Sequence, residues 1–527
     1  MKTSIDLNWR SWAWVFIVVF AAAFAFALFT QHAWDDYWIT YRASKNLATG
    51  NGLVFTAGQR VHSFTSPLGT LLPAALGFLT GNRSDVLVLW LFRIVSSMAL
   101  GGAAVLVWKI AAADGMGRLA SIALIGLLAT DAKTLDYSIN GMEAALLVLF
   151  LAMVLHAHVV PGPQATLRLG CAWAGLMWTR PDGFVYAGAL GVAFLLFRKE
   201  RGWAGAQTDF LKRCLRAGAV AMCLYLPWVL WAWFYYGSPV PHTIIAKGLS
   251  MVKTAGLGRM MHGVELSLLV TFLPAYVMFG GWPFDLLYWY GMGLAFLCAV
   301  YWLLPSGRPL GRALSFAFLA VQVYLGCFCP IIYPWYLVGV AFLGLWVLAE
   351  MLQQCVDVAR HMTWLPRAVA CLLLGGTLAL TLCVAWQLRV QQQVVENGNR
   401  KQIGLWLKAN AASPKDSVFC EPLGYIGFFS QLKMYDYPGL SSPEVVAARR
   451  QLGTDDWDKL ICYLRPDWLV LRPNEARQLR ERHESLLTKD YSLVRTFDVS
   501  ERLKTYDWLP GMGYLLFDQS FVVFRRH

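Results

Sequence analysis

The sequence has little charge for its length. Only 15% of its 527 residues are Asp, Glu, Lys or Arg, whereas about 25% is typical of a soluble domain, and 57% are hydrophobic. This composition excludes an ordinary soluble protein, a disordered chain, a collagen and a small disulfide scaffold. Together with 24 tryptophans and a mean hydropathy of +0.48, it predicts an integral membrane protein.

The sequence also lacks the short motifs of nucleotide and hydrolytic chemistry. It contains no GxxxxGK[ST] phosphate loop, no GxGxxG after a strand, no HExxH and no GxSxG, and no internal repeat. Its eleven cysteines have no zinc spacing. Only Cys420 and Cys462 lie in the last quarter of the chain, where they either form one disulfide in an oxidising compartment or remain two thiols. Nucleotide-driven chemistry therefore has no recognisable motif here.

The charged residues are unevenly distributed. Residues 389–527 contain 20 Lys/Arg and 17 Asp/Glu, about 27% of that segment, whereas only about 10% of residues 1–388 are charged. We therefore predict an α-helical polytopic membrane domain over 1–388 and a soluble domain over 389–527. Most of the net charge of +13 belongs to the membrane part, where Lys and Arg mark the cytoplasmic side, so nucleic acid is not a predicted partner.

Periodicity gives the expected elements of both parts. With about 20 residues per span, and with short or tilted segments allowed, we predict about eleven transmembrane helices. They lie near residues 11–30, 86–108, 119–132, 143–160, 169–179, 184–198, 217–236, 285–304, 313–330, 334–354 and 368–388. The first is interpreted as a span rather than a cleaved signal peptide. In the tail, short apolar runs at 418–420, 468–471 and 521–524 alternate with helical patterns near 400–411 and 443–452, which predicts an α/β domain.

Basic residues mark one side of the predicted spans. They are Lys2, Arg10, Lys109, Arg118, Arg198, Lys199, Arg201, Lys212, Arg213, Arg216, Arg308, Arg312, Arg360 and Arg367. By the positive-inside rule this side is cytoplasmic, which places residues 31–85, 133–142, 180–183, 237–284, 331–333 and the C-terminal domain outside. The apolar stretch 264–280 is predicted to be interfacial or re-entrant, because counting it as a span would place Arg308 and Arg312 outside.

Two adjacent carboxylates, Asp35 and Asp36, follow the first span in the run WDDYWITYR (34–42). Carboxylates at a membrane interface are costly unless they are paired, solvated or used in chemistry. Neighbouring residues project about 100° apart on a helix, so the two cannot perform the same task. One would be a general base, and the other would hold Arg42, a metal ion or the loop. The alternative is that the pair caps a juxtamembrane helix.

Further motifs follow in order, and each lies on the predicted outward side. They are KNLATGNGLVF (45–55), GQRV (58–61), FTSPL (64–68), SINGME (138–143), TRPDG (179–183), YGSPVPHT (236–243), AK (246–247), LGYIGFF (423–429), Asp436 and PGL (438–440). Joined to the Asp-Asp-Tyr start, this set resembles the GT-C membrane glycosyltransferases. The closest resemblance is to the terminal arabinofuranosyltransferases of the actinobacterial cell wall.

The resemblance implies a GT-C fold in the inner membrane, with a cytoplasmic N-terminus and a periplasmic cap. It implies transfer of a sugar, above all D-arabinofuranose, from a polyprenyl-phosphate donor to an envelope glycan, a lipid-linked glycan or a surface protein. It also implies an essential Asp in the first outward loop, at Asp35 or Asp36, and we slightly prefer Asp36 as the base. Related enzymes move mannose, glucose or aminoarabinose, and the shape of the pocket selects among these sugars.

The reaction needs a base for the acceptor hydroxyl and positive charge for the departing phosphate. The candidate phosphate ligands are Arg180, Lys247, His242 and Arg42, and the candidate sugar or acceptor ligands are Glu143, Asp182 and Asn140. Each has an ordinary alternative: Arg180 could pair with Asp182 across a turn, Lys247 could reach lipid headgroups, and Glu143 could cap a helix. Aromatic residues such as Tyr333 and Trp335 suit an interfacial belt, although aromatic faces also bind sugar rings.

A divalent cation is the one cofactor that the sequence brings into question. Adjacent carboxylates suit hard cations, so Asp35 and Asp36 are candidate ligands of Mg²⁺, Mn²⁺ or Ca²⁺, but spacing fixes no third carboxylate. Two other functional classes remain open: a transporter or flippase of a lipid-linked sugar, and a membrane sensor with an outer binding domain. The first predicts paired broken half-helices, which the sequence lacks, and the second leaves the ordered motifs unexplained.

Overall fold

Helices dominate the structure, a computed structural model that describes residues 8–160, 162–197, 203–251, 256–329, 331–359 and 361–527. The basic residues Lys2, Arg198, Lys199, Arg201 and Arg360, which support the predicted orientation, lie outside the described residues. The helices up to residue 390 are α1 (Trp9–Thr30), α2 (Asp35–Ala48), α3 (Pro67–Leu79), α4 (Asp85–Ala113), α5 (Arg118–Thr130), α6 (Ala132–Ile139), α7 (Ala144–Val159), α8 (Ala165–Thr179), α9 (Gly183–Phe197), α10 (Trp203–Tyr236), α11 (His242–Met251), α12 (Leu257–Thr271), α13 (Phe284–Val300), α14 (Pro309–Phe328), α15 (Val338–Val358) and α16 (Trp364–Val390).

Seven helices of the described chain are long and apolar enough to cross a membrane. They are Trp9–Thr30, Asp85–Ala113, Gln207–Tyr236, Phe284–Leu303, Pro309–Phe328, Pro334–Val358 and the helix that starts at Trp364. The bent pair α6 and α7, which meet at 117°, can supply an eighth. A helix coincides with each of the eleven predicted spans, but α5, α8 and α9 are only 13 to 15 residues long. The polytopic membrane fold is confirmed, and the count of eleven stays a prediction.

The bundle is built around α15, whose residues 338–349 are all apolar and almost wholly buried among its neighbours. The close contact of α12 with α14 depends on glycine, because a Cβ at Gly263 would lie 2.2 Å from the carbonyl oxygen of Gly326. At one end of the bundle Arg308 bonds to Asp114 and, at 2.5 Å, to Glu350. This contact brings together the loops after α4 and before α14, as the charge pattern predicted for one side of the membrane.

The C-terminal part is an α/β domain, as predicted. Its strands are β1 (Ser417–Cys420), β2 (Lys433–Asp436), β3 (Trp468–Leu471), β4 (Tyr491–Asp498) and β5 (Ser520–Arg526), in the sheet order β2-β1-β3-β5-β4. β1 pairs in parallel with β2 and β3, and β5 pairs antiparallel with β3 and β4. Its helices are α17 (Lys401–Asn410), α18 (Leu423–Ser430), α19 (Pro443–Leu452), α20 (Trp457–Leu464), α21 (Pro473–Arg482), α22 (Ser500–Lys504) and α23 (Met512–Phe517). We call residues 417–526 the cap. Cys420 and Cys462 are both free thiols.

One long helical element joins the membrane part to the cap. Helix α16 continues through a π-helical stretch, Gln391–Arg400, into α17, so that residues 364–410 form 47 consecutive helical residues. The cap also packs on α2, in the loop that follows the first span. Buried Trp38 and Tyr41 of α2 share a hydrophobic cluster with Tyr425 and Phe428 of α18. The cap is therefore held by both a continuous helix and a shared core.

Candidate active site

A cavity of about 410 Å³ lies between the membrane bundle and the cap. Its walls come from the start of α2, from α6, α11 and α12, from the segments 274–279 and 331–335, and from the cap. Four acidic and four basic side chains line it, namely Asp35, Asp36, Glu421, Asp518, Lys133, Lys247, Arg400 and Arg472. Of the predicted site residues, Asp35, Asp36 and Lys247 are among the lining residues.

Asp36 occupies the first turn of α2 and faces the cavity. No described residue donates a hydrogen bond to its carboxylate. Burial raises the pKa of Asp36 to about 6; the nearby Lys247 ammonium acts in the opposite direction, and the charges of Asp35, Glu143 and Glu421 raise the pKa further. An unpartnered carboxylate that titrates near neutral pH in a cavity has the properties of a general base.

Lys247 lies on α11, on the same cavity. Its Nζ donates a hydrogen bond to the Tyr336 hydroxyl at 3.3 Å and lies 4.4 Å from the centre of the Tyr333 ring. Neither partner is a carboxylate, so its charge stays available to an anion. A second ammonium, that of Lys133, also faces the cavity and donates to the Val270 carbonyl at 2.9 Å.

Asp35 differs from its neighbour in its contacts. Its two carboxylate oxygens accept hydrogen bonds from the backbone N–H groups of Gly424 and Tyr425, at 2.7 and 2.8 Å. These groups belong to the first turn of α18, where a negative charge is favourable. The two adjacent carboxylates therefore face different partners, as the helical projection angle predicts.

Arg42 is buried beside α18 and is not among the cavity-lining residues. Its two terminal nitrogens donate to the carbonyls of Gly427 and Leu432, at 2.8 and 3.1 Å, and its guanidinium lies 4.3 Å from the centre of the Phe55 ring. Burial lowers the pKa of Arg42 to about 9. Its terminal nitrogens are thus occupied by the cap.

Arg180 is held by two of the predicted sugar ligands. It bonds to Asp182 at 2.9 Å and to Glu143 at 3.4 Å, and it lies over the ring of Tyr336. The two carboxylates raise the pKa of Arg180 above its usual value, against the effect of burial. All three charged residues lie outside the described cavity lining. They form a compact ion-paired group behind Tyr336.

The last two predicted residues, Asn140 and His242, also lie outside that lining. Asn140 donates to Asp136 at 2.7 Å, and its carbonyl oxygen accepts from the backbone N–H of Trp34, one residue before Asp35. The backbone N–H of His242 donates to the carbonyl of His62, and burial lowers the pKa of the His242 imidazole. Both residues therefore connect segments that the sequence predicts to lie on the outward side.

The cap wall of the cavity, together with Arg400 of the π-helical stretch, contains a charge network that sequence reasoning missed. Arg472 bonds to Asp518 at 2.5 Å, to Glu421 at 2.6 Å and to Glu475 at 2.8 Å, and Arg400 bonds to the same Asp518. The two guanidinium groups hold the pKa of Asp518 below its usual value. Glu421 is the most exposed member, with half of its side chain accessible, so it can accept hydrogen bonds from hydroxyl groups in the cavity.

Aromatic rings from three distant segments, at Trp34, Tyr276 and Tyr514, form another wall. Trp34 stacks on Tyr137 with ring centroids 5.3 Å apart, and Tyr276 stacks on Tyr514 of the cap at 4.0 Å. Tyr276 has a φ of 56°, which is unusual for a residue other than glycine. Flat apolar faces beside hydroxyl-binding carboxylates are suited to sugar rings. Tyr333 and Trp335, which the sequence assigned mainly to an interfacial belt, line the same cavity.

The described residues contain no group of three or more His, Cys, Asp or Glu side chains that could hold a metal ion. Both Asp35 oxygens already accept backbone hydrogen bonds, so Asp36 is the one member of the predicted metal-binding pair whose oxygens remain without a donor. One free carboxylate does not supply the six to eight oxygen ligands of Ca²⁺, whereas Mg²⁺ is usually bound by one or two carboxylates together with waters and substrate phosphates. The described side chains therefore do not form a complete Ca²⁺ site, and Asp36 is the side chain that would hold a Mg²⁺ bound together with a phosphate.

Parts of the chain are similar in sequence to known proteins. Residues 386–517 match a family described as a domain of unknown function (DUF8728). A terminal β-(1→2)-arabinofuranosyltransferase of Corynebacterium glutamicum is 28% identical over 254 residues, which is 44% of this chain and 35% of the relative. The corresponding protein of Mycobacterium tuberculosis is 26% identical over 251 residues, 44% of this chain and 38% of the relative. The matches thus span little more than a third of the length of these relatives.

The fold comparison extends over the whole chain. ArnT from Cupriavidus metallidurans, in its structure bound to undecaprenyl phosphate, superposes with a TM-score of 0.53 over 98% of both chains at 12% identity. The protein is therefore a multi-pass membrane protein with the GT-C fold. In sequence it is related to the terminal arabinofuranosyltransferases of actinobacteria, and the predicted resemblance is confirmed.

Proposed function

We propose that the protein is a membrane glycosyltransferase that moves a sugar from a polyprenyl-phosphate donor to a hydroxyl group of an acceptor. The observation that carries this proposal is the pairing of an unpartnered carboxylate, Asp36, with an ammonium group, Lys247, in one cavity beneath the cap. The names of the sequence relatives and of the structural neighbour support the same chemistry. Arg308 precedes the first residue of α14, whereas residues 331–335, just beyond its last residue, line the cavity, so we infer that the reaction takes place on the side away from Arg308, outside the cytoplasm.

The reaction follows from these two groups. The acceptor oxygen forms a bond to the anomeric carbon, Asp36 takes the hydroxyl proton, and the bond from that carbon to the phosphate oxygen breaks. The departing phosphate gains negative charge, which Lys247 stabilises as a point charge. Asp36 suits the role of base because its pKa of about 6 keeps it deprotonated at neutral pH while it remains basic enough to accept a proton.

Different walls of the cavity suit different parts of the substrates. Apolar residues of α12 and of the segments 277–279 and 331–332 form the side toward the membrane, and Met278 and Ile331 are more than half exposed. This side suits the lipid tail of the donor. The cap side, with Glu421, suits sugar hydroxyls, and the stacked Tyr276–Tyr514 pair, which contacts Phe279, suits ring faces. We propose that the acceptor approaches from the cap.

We propose D-arabinofuranose as the donor sugar, because the sequence relatives carry that activity in their names. The acceptor would be a glycan of the cell envelope, a lipid-linked glycan or a surface protein. The inner membrane, with the cap in the periplasm, is the proposed location, since a lipid-linked donor serves where nucleotide sugars are absent.

The deciding experiment measures polyprenyl phosphate release by mass spectrometry. Purified protein is incubated with synthetic polyprenyl-phosphoryl arabinofuranose, mannose or glucose and a membrane extract as acceptor source, with and without chelator. We expect release from the arabinofuranosyl donor by the wild type and none by Asp36→Asn. Turnover of another donor alone would overturn the proposed sugar. Equal release by wild type and Asp36→Asn would overturn the proposed base, and no donor binding by folded protein would refute the glycosyltransferase function.

A further inference from the structure

Two charged residues of α2 form hydrogen bonds with the two ends of one cap helix. Asp35 accepts hydrogen bonds from the first N–H groups of α18, at Gly424 and Tyr425. Arg42 donates to the carbonyl of Gly427 and to that of Leu432, just beyond the helix end. The carboxylate thus meets the N-terminus of α18, and the guanidinium meets its C-terminal carbonyls. Both charges match the dipole of the helix that they hold.

The spacing along α2 makes this double contact feasible. Asp35 and Arg42 are seven residues apart, which is two helical turns and about 10 Å, and both therefore lie on the same face. The contacted groups span a similar length of α18 and its C-terminal turn. Between the two contacts Trp38 fills the space, with its ring 4.6 Å from that of Phe428.

The two helices approach so closely that only glycine fits at one point. A Cβ on Gly424 would lie 1.9 Å from the backbone oxygen of Asp35. Such a contact admits no side chain without movement of one helix. The first glycine of the LGYIGFF motif, Gly424, is therefore required for steric reasons. The position of α18 on α2 is fixed within narrow limits.

The residues immediately before α18 form part of the cavity. Glu421, Pro422 and Leu423 line it from the cap, and Asp36 lines it from α2, one residue after Asp35. The charge of Glu421 acts on Asp36 across this space. Any displacement of α18 relative to α2 therefore changes the distance between the free carboxylate and the cap wall.

We propose that Asp35 and Arg42 are positioning residues that clamp α18 and so hold the acceptor-binding wall of the cap in register with Asp36. The clamp rests on the proposed function of Asp36, and it divides the roles of the two adjacent aspartates. Asp36 acts on the reacting hydroxyl, whereas Asp35 acts through α18. Arg42 serves the clamp rather than the phosphate, because its terminal nitrogens are bonded to cap carbonyls.

Hydrogen–deuterium exchange tests the clamp without any assumption about the reaction. Asp35→Asn and Arg42→Gln should each raise the amide exchange rate of residues 423–432 by roughly 10- to 100-fold, as expected for the loss of charge-assisted hydrogen bonds. Asp36→Asn should leave that exchange at the wild-type rate. Wild-type exchange in both Asp35→Asn and Arg42→Gln would overturn the clamp, even if the enzyme is active.

Kinetics then test the positioning role. With the membrane extract titrated as acceptor source, Asp35→Asn should raise the apparent acceptor KM about tenfold or more while the Kd for polyprenyl-phosphoryl arabinofuranose stays within about twofold, because the cap wall moves and the donor side does not. Gly424→Ala, which adds only a methyl group, should reproduce this split. Gly375→Ala, on α16 with no atom within 4 Å of the added Cβ, is the matched control and should behave as the wild type.

The outcomes separate the clamp from the proposed function. Loss of turnover in Asp35→Asn with normal exchange at 423–432 and normal acceptor affinity would make Asp35 a catalytic group and refute the clamp. A fall in kcat that matches the unfolded fraction, with no change in the KM of either substrate, would mean that Asp35 has only a structural role. If Asp35→Asn does not fold, Gly424→Ala decides the same question.

Discussion

The two substitutions Asp35→Asn and Asp36→Asn should change the stability of the protein in opposite directions. The Asp36 carboxylate has no donor among the described residues, and burial raises its pKa from 3.8 to about 6. The Asp35 carboxylate accepts two backbone hydrogen bonds. Asp36→Asn should therefore stabilise the protein at neutral pH, and Asp35→Asn should destabilise it, although the chemical change is the same.

The expected magnitudes follow from these contacts. A pKa raised from 3.8 to about 6 corresponds to about 3 kcal/mol above both values, and since Asp36 still faces the cavity water we expect about 2 kcal/mol. Because its pKa is higher in the folded state, its cost to stability grows as pH rises between about 4 and 6 and is complete near pH 7. Asp35→Asn should cost about 1.5–3 kcal/mol, the value of a hydrogen bond to a charged group.

Thermal unfolding in detergent, followed by tryptophan fluorescence at one scan rate, measures both effects. At pH 7.5 the Tm of Asp36→Asn should lie above that of the wild type, and the Tm of Asp35→Asn below it. Near pH 4 the gain of Asp36→Asn should shrink to about half a kcal/mol or less. A lower Tm for Asp36→Asn at pH 7.5, or a gain that persists unchanged at pH 4, would refute the assignment of Asp36 as a buried, unpartnered base.

Three further predictions concern the pH profile, the ion-paired group and the aromatic wall. Transfer rates should rise as the pH increases through about 6, where Asp36 loses its proton. Lys247→Met should move this rise to higher pH, because the ammonium group lowers the pKa of Asp36. A rise at the same pH in the variant would mean that the two groups do not interact. Arg180→Met leaves buried carboxylates without their counter-charge and should destabilise by about 3–5 kcal/mol; a wild-type yield of folded protein in size-exclusion chromatography would contradict it. Tyr514→Ala removes the ring stacked on Tyr276 and should raise the acceptor KM, whereas Tyr514→Phe keeps the ring; equal acceptor KM values in the two variants would show that stacking is not what matters.

The sequence predicted the features that depend on local pattern. Apolar runs gave the positions of the helices, and β1, β3 and β5 followed from continuous apolar segments. β2 and β4 were missed, because Lys433–Asp436 and Tyr491–Asp498 mix apolar and charged residues, and most of β4 is exposed. The number of spans could not be fixed, since short helices such as α5 and α9 satisfy the apolar pattern but not the length of a full crossing.

The site was predictable only where its signal was local. Asp36 and Lys247 stood in outward motifs, and the structure brings both to one cavity. The carbonyl groups that accept hydrogen bonds from Arg42 lie more than 380 residues away in the sequence. The residues next to Arg42 therefore give no sign of its contact with the cap. Arg472 and Asp518 were missed for another reason: single charges in a soluble domain look like an ordinary solvated surface until the fold brings them together.

The unbroken helix from residue 364 to residue 410 has a mechanical consequence. Its 47 residues correspond to about 70 Å, more than twice the thickness of the hydrocarbon core. The cap is therefore joined to the membrane part by continuous helix rather than by a flexible tether, and a transmembrane helix changes its tilt with the thickness of the surrounding lipid. Because this helix runs on into the domain that carries Glu421, we expect the distance between the cap wall and Asp36 to depend on the bilayer in which the protein is embedded.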